Sequence, residues 1–228
     1  MSARNFYCVK KGKRTGIFKT WEECKEYVTG FPGAEYKGFA TREEACEYLG
    51  MDMGREDISA EDIPPKDSIL AYVDGSYNDD LLRYAFGCVF ILPDGSVYTE
   101  YGNGDNPQSL EQRNVTGEML GAMYAVRFAI KNGFKALEIR YDYQGIESWV
   151  TGAWRSKNEL TQKYAGSMRE WSKSIDITFT KVKAHTNVKY NELADKMAKK
   201  GLMDGDGVPK IKLLKEMEPY NDGTDTFK

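Results

Sequence analysis

Ile69-Leu70-Ala71-Tyr72-Val73-Asp74-Gly75-Ser76 decides the reading of this chain. Five apolar residues in a row predict a buried strand, and the run ends on a carboxylate. An ionised Asp at the end of a buried strand is costly unless something positive meets it. The pattern returns at Leu137-Glu138-Ile139-Arg140-Tyr141, which ends on Asp142. Two further acids stand on helical patterns: Glu118 opens one, and Asp195 lies inside the last. Two strand-ending Asp and two helix-borne acids predict a cage for divalent metal, and with it phosphodiester chemistry.

Composition frames this reading. At 228 residues, with 41% hydrophobic and 29% charged, the chain reads as soluble, one medium domain plus a small one. No stretch approaches the ~18 uninterrupted apolar residues of a membrane span. Met1-Ser2-Ala3-Arg4-Asn5-Phe6 lacks the apolar core of a secretory signal. Cys8, Cys24, Cys46 and Cys88 are scattered, with no C-x-x-C pair, so neither a zinc site nor a disulfide framework is expected and the cytoplasm is the default compartment. The net charge of −3 hides an asymmetry. Residues 1–19 hold Arg4, Lys10, Lys11, Lys13, Arg14 and Lys19 with no acid, whereas Asp79, Asp80, Asp94, Glu100 and Asp105 enrich the middle in acid. A metal cage needs negative charge and a phosphate-gripping arm needs positive charge; on charge alone, a solvated basic face is the favoured reading of the arm.

Residues 51–66 are polar and acidic and close on Pro64-Pro65, the composition of a flexible linker. They separate a unit over 1–50 from one over 67–201, and residues 202–228 read as a charged tail with no assigned role. In the small unit, strands over 6–9 and 16–18 flank a basic turn, and Thr20-Trp21-Glu22-Glu23 and Thr41-Arg42-Glu43-Glu44 each open a helix with a capping-box pattern. A further strand lies over 34–39. The large unit predicts strands over 68–74, 84–92, 96–101, 136–141 and 175–182, and helices over 116–131, 146–149, 159–171 and 190–200, the last stopped by Gly201. Three meandering strands followed by helix–strand alternation imply an α/β fold of mixed character, a five-stranded mixed sheet flanked by helices.

The order Tyr72-Val73-Asp74-Gly75-Ser76, Gly117-Glu118, Tyr141-Asp142, Ala184-His185 and Asn191-Glu192-Leu193-Ala194-Asp195 resembles type 1 ribonuclease H across 68–201. His185 and Asp195 keep the ten-position separation of the family's last His and last Asp. The resemblance implies an endonuclease that hydrolyses the RNA strand of RNA–DNA hybrids, leaving 5′-phosphate and 3′-hydroxyl ends. Two Mg²⁺, for which Mn²⁺ substitutes, suit four carboxylates: Asp74 as the bridging ligand, Glu118 and Asp142 completing one ion, Asp195 on the other. His185 is the only histidine, and a lone histidine is ordinarily structural; the resemblance gives it proton handling or product release. Reading the 2′-hydroxyl falls to Asn114, with Gln112, Gln144 and Asn78 as further candidates, and Arg113 is placed to hold a phosphate. The stretches 74–84 and 142–146 are shorter than in many relatives, so simple loop polarity explains Asn78 and Gln144 equally well.

Tyr7-Cys8-Val9-Lys10-Lys11-Gly12-Lys13-Arg14-Thr15-Gly16-Ile17-Phe18, Thr20-Trp21-Glu22-Glu23-Cys24 and Tyr36-Lys37-Gly38-Phe39-Ala40-Thr41 resemble the N-terminal hybrid-binding domain of such nucleases. That likeness places Trp21 and Tyr36 as stacking residues and Lys37 on a phosphate, with Tyr7, Lys10 and Lys11 also toward substrate; the alternative is that Trp21 and Tyr36 form the core of a tiny domain. Gly38 stands where the family often has a second Lys. Residues 151–158 are short and modestly basic, so the small unit is expected to supply affinity through the linker. The competing reading is a non-catalytic binder of RNA–DNA hybrid or double-stranded RNA; intact acids and His185 argue against it, and the hybrid-binding likeness disfavours a junction resolvase. A monomer with no membrane partner is expected.

Overall fold

A computed structural model describes residues 6–18, 20–40, 42–49, 59, 62–182 and 189–220. It comprises two compact units, one within 1–58 and one over 59–220.

In the small unit, β1 (Phe6–Lys11) lies between β2 (Gly16–Phe18) and β3 (Glu35–Phe39), antiparallel to both. Side chains alternate across a strand, so β1 buries Val9 against Cys24 and Val28 of α1 (Trp21–Val28) and turns Cys8 the other way. There Cys8 Sγ meets the Ala45 carbonyl of α2 (Arg42–Leu49) at 3.5 Å. The Thr20 cap is in place, its hydroxyl accepting from the Glu23 amide at 3.3 Å.

The large unit is a five-stranded sheet in the order β6-β5-β4-β7-β8. The strands are β4 (Ser68–Asn78), β5 (Arg83–Ile91), β6 (Val97–Gly104), β7 (Ala136–Tyr141) and β8 (Asp176–Lys181); β4–β6 pair antiparallel, and β4, β7 and β8 parallel. Helices α3 (Pro107–Leu110), α4 (Asn114–Lys131), α5 (Gly145–Thr151), α6 (Glu159–Trp171) and α7 (Lys189–Asp204) complete the unit. Ile69, Ala71 and Val73 of β4 and Phe86, Cys88 and Phe90 of β5 share the core with α4, where Phe90 stacks on Phe128 at 4.2 Å. The opposite face carries α7, with Tyr72 against Tyr190 and Gly87 beneath Ala194. No helix of the described residues is long and apolar enough to cross a membrane.

Two expectations change. Asp74 does not end its strand: β4 continues to Asn78. The parallel ladder with β7 stops at Tyr72↔Arg140, whereas the antiparallel ladder with β5 runs on to Asn78↔Arg83. Asp74 therefore lies where the sheet opens on one side only. Nor does Gly201 stop the last helix, which runs to Asp204. A Cβ at Gly201 would stand 2.9 Å from the Gly102 carbonyl, so glycine serves close packing of helix on strand here.

The residues after α7 form a strap across the edge of the sheet. Asn103 of β6 donates to the Gly201 and Gly205 carbonyls at 2.8 and 2.7 Å and accepts from the Gly207 amide at 2.9 Å. Lys212 pairs at 2.9 Å with the buried carboxylate of Glu100, Leu214 N donates to Asn132 at 2.8 Å, and Tyr220 N donates to Val97 O at 2.7 Å. Ile211, Leu214 and Met217 pack on the core. At the other end, Asp62 accepts from Tyr72 Oη at 3.0 Å and pairs with Arg140, so the distal end of the predicted linker is tied to β4 and β7.

Truncation after Asp204 removes the contacts made by residues 205–220 and leaves Glu100 buried without its cation. The loss amounts to roughly 3–4 kcal/mol, which lowers the melting midpoint of this unit by about 10 °C; calorimetry of the shortened and full chains checks it.

Candidate active site

Three strand and helix positions converge. Asp74 comes from β4, Glu118 from the second turn of α4, and Asp142 from the residue after β7. One carboxylate oxygen from each lies within 4.8 Å of the others. Two glycines allow this. A Cβ on Gly75 would fall on the Asn114 carbonyl and the Glu118 amide, and one on Gly117 would fall on the Ala85 carbonyl. The start of α4 therefore lies directly on the backbone of β4 and β5, which carries Glu118 to Asp74. The signal was present in the sequence: a glycine directly after the strand acid and another directly before the helix acid mark close backbone approach.

The grouping is electrostatically unfavourable by itself. Burial and the neighbouring charges of Asp142 and Asp195 push the Asp74 carboxyl up from 3.8 to about 7, against the help of the Gly75 amide, which donates to Asp74 Oδ1 at 2.7 Å. Glu118 is 2% exposed, and burial first, then the charge of Asp74, raises it well above the usual carboxylate range. Its Oε2 is buried without a hydrogen-bond partner. A buried acceptor with no donor, among three oxygens this close, fits a hard divalent cation. Asp74, Glu118 and Asp142 are the residues that could hold one.

Asp195 stands apart from the triad. It lies on α7, near enough for its charge to act on Asp74, and pairs with Lys199 at 2.6 Å. His185 lies outside the described residues. Asn114 is the exposed first residue of α4, and Gln112 is half-buried just before it. Arg113 takes φ +50°, pairs with Asp79 at 3.6 Å and lies over the Tyr77 ring. Two side chains have local duties: Asn78 accepts from the Leu81 amide at 2.8 Å, and Gln144 donates to Glu147 and Ser148 at 3.4 and 3.3 Å. Behind Asp142, Tyr143 joins Trp149 and Trp154 in an aromatic group that composition alone does not reveal.

In the small unit the structure gathers Tyr7, Trp21 and Tyr36 into one row, with centroids 5.8 and 5.6 Å apart. Trp21 is 36% and Tyr36 47% exposed, so both rings open to solvent. Gly38 pairs with Tyr7 on that face, while Lys37 alternates to the other. There Lys37 lies 5.1 Å from the Phe39 ring and Lys10 lies 5.3 Å from the Tyr48 ring. Lys11 is exposed at the end of β1.

Comparison with known proteins agrees with this geometry. Residues 66–203 match the family described as RNase H, and residues 5–49 match that described as Ribonuclease H1 N-terminal domain. The Ribonuclease H1 of Rattus norvegicus is 24% identical, covering 89% of this chain and 90% of that protein. The Ribonuclease H of Saccharomyces cerevisiae is 54% identical over 47 residues, 21% of this chain and 14% of that protein. Among solved structures, RNase H1 from the halophilic archaeon Halobacterium salinarum superposes with a TM-score of 0.52 and 26% identity, covering 60% of this chain and 99% of that one.

The raised Asp74 carboxyl sets a pH dependence. Below the unfolded value of 3.8 both chains hold the proton; from there up to about 7 the unfolded carboxylate is ionised while the folded one keeps its proton, so stability falls across that window and the loss is complete above it. In metal-free solution Asp74→Asn melts higher than the unsubstituted chain by roughly 5–10 °C above pH 8, and the difference shrinks toward zero near pH 4. Calorimetry in chelator across that range measures it.

Proposed function

This chain belongs to the ribonuclease H family, and from that membership we propose that it cuts the RNA strand of RNA–DNA hybrids by two-metal-ion hydrolysis. The observation that carries the reading is the triad of Asp74, Glu118 and Asp142, with a buried Glu118 oxygen that lacks a donor. Two Mg²⁺, or Mn²⁺ in their place, suit this donor set and when bound supply the charge that activates water and steadies the leaving oxygen. Asp74, Glu118 and Asp142 would hold these ions, with Asp195, now paired with Lys199, as the fourth carboxylate.

The remaining work belongs to the chain's own groups. Burial of Glu118 and the packing of α4 on β4 hold the carboxylates rigid, so the site needs little rearrangement when the substrate arrives. Asn114 and Gln112, at the start of α4, offer amides to the minor groove, where the 2′-hydroxyl separates RNA from DNA. His185 takes part in proton handling or product release. In-line attack at phosphorus breaks the bond to the 3′ oxygen, leaving a 5′-phosphate and a 3′-hydroxyl. The row Tyr7–Trp21–Tyr36 supplies stacking for the hybrid, with Lys10, Lys11 and Lys37 on phosphates, and a linker joins this unit to the nuclease.

With Mg²⁺ or Mn²⁺ the chain cuts the RNA strand of a hybrid and spares duplex DNA, and Asp142→Asn lowers the rate by about a thousandfold or more. Gel analysis of end-labelled hybrid, with ligation to identify the ends, decides it; retention of uncut hybrid by both proteins would instead support a binding module. Trp21→Ala weakens hybrid binding by roughly tenfold, as loss of one stacking ring predicts, and leaves the nuclease unit's melting midpoint unchanged.

A further inference from the structure

On the rim of the site one ion pair joins the end of β4 to the start of α4. Arg113 Nη2 stands 3.6 Å from Asp79 Oδ1, and the guanidinium lies 5.8 Å from the centre of the Tyr77 ring. Both charged side chains open to solvent, at 66% and 71% exposure. The Arg113 backbone takes φ +50° and ψ −127°, a conformation that strains any residue with a Cβ. The strain is borne at the position directly before Asn114 by a side chain that adds nothing to the core.

We propose that Asp79 stands in for a substrate phosphate in the free protein, keeping Arg113 stacked on Tyr77, and that a backbone phosphate of the bound hybrid displaces it. The proposal rests on the nuclease reading above. A guanidinium fork fits carboxylate and phosphate alike, and stacking on an aromatic face leaves its N–H edge available. An exposed pair at this distance is weak, so exchange costs little, while a phosphate contact also releases a counterion from the duplex. After exchange, the Asp79 carboxylate stands beside the bound phosphate and opposes it. The pair thus orients Arg113 before binding and moderates affinity after it, which favours release of product.

The test is equilibrium binding of RNA–DNA hybrid to the full chain carrying Asp142→Asn, across a range of salt. Arg113→Gln weakens binding by roughly fivefold and lowers the slope of log affinity against log salt by about one. Asp79→Asn tightens binding by about threefold, more than Asp80→Asn, which removes the same charge one residue on. With Arg113→Gln already present, Asp79→Asn and Asp80→Asn have equal effects. Arg113→Gly relieves the strain and raises the melting midpoint, yet binds as weakly as Arg113→Gln, which separates a binding role from a structural one. Equal effects of the two Asp substitutions in both backgrounds, or wild-type affinity in Arg113→Gly, would overturn the proposal while leaving the nuclease reading intact. Failure of the unsubstituted chain to cut hybrid with Mg²⁺ or Mn²⁺ would overturn both.

Discussion

Three carboxylates held within 4.8 Å of one another, two of them buried, are the constraint on which the rest of this structure depends. Like charges in a poorly solvated site repel strongly, and burial penalises each ionised group as well. The fold must therefore supply enough packing elsewhere to hold Asp74, Glu118 and Asp142 together against their own electrostatics. It does so with backbone-to-backbone contact, through Gly75 and Gly117, which leaves the start of α4 no room to move away from β4. The Glu118 oxygen without a donor leaves room for a cation to complete the arrangement.

Both faces of the sheet contribute to that rigidity. On one, alternate residues of β4 and β5 lock into α4 through an aromatic and aliphatic core. On the other, Gly87 and Gly201 let α7 approach the strands, which fixes the helix that carries Asp195. The strap after α7 and the Asp62–Arg140–Tyr72 group close the two ends of the unit. Arg140 lies two residues before Asp142, so the tie at Asp62 also steadies the strand that delivers the third carboxylate.

The small unit solves a different problem. Its core is only a few side chains deep; Tyr7 packs against it, and the neighbouring rings of Trp21 and Tyr36 are left at the surface. Exposed rings arranged this way suit stacking on nucleic acid, since each sugar or base offers an apolar face. Lys10 and Lys37 lie by a second aromatic pair, Tyr48 and Phe39, on the opposite side of the sheet.

Much of this was legible in the sequence. Period-two and period-3.6 patterns determined the order of strands and helices, because burial of alternate or every third to fourth residue leaves a local trace. The acids and the Asn191–Asp195 motif pointed to a candidate metal set, since metal chemistry restricts the residue types that can serve, and the structure brings three of those acids together. Only the tertiary structure decided that Asp74 lies within its strand, because that depends on where the β7 ladder stops and the β5 ladder continues. It alone joined residues 205–220 to the sheet edge, through hydrogen bonds to residues some hundred positions away. It also separated Asp195 from the triad and strained Arg113 across the rim, for the same reason. Distances between chain segments arise from packing, and a sequence records which groups can meet without recording which of them do.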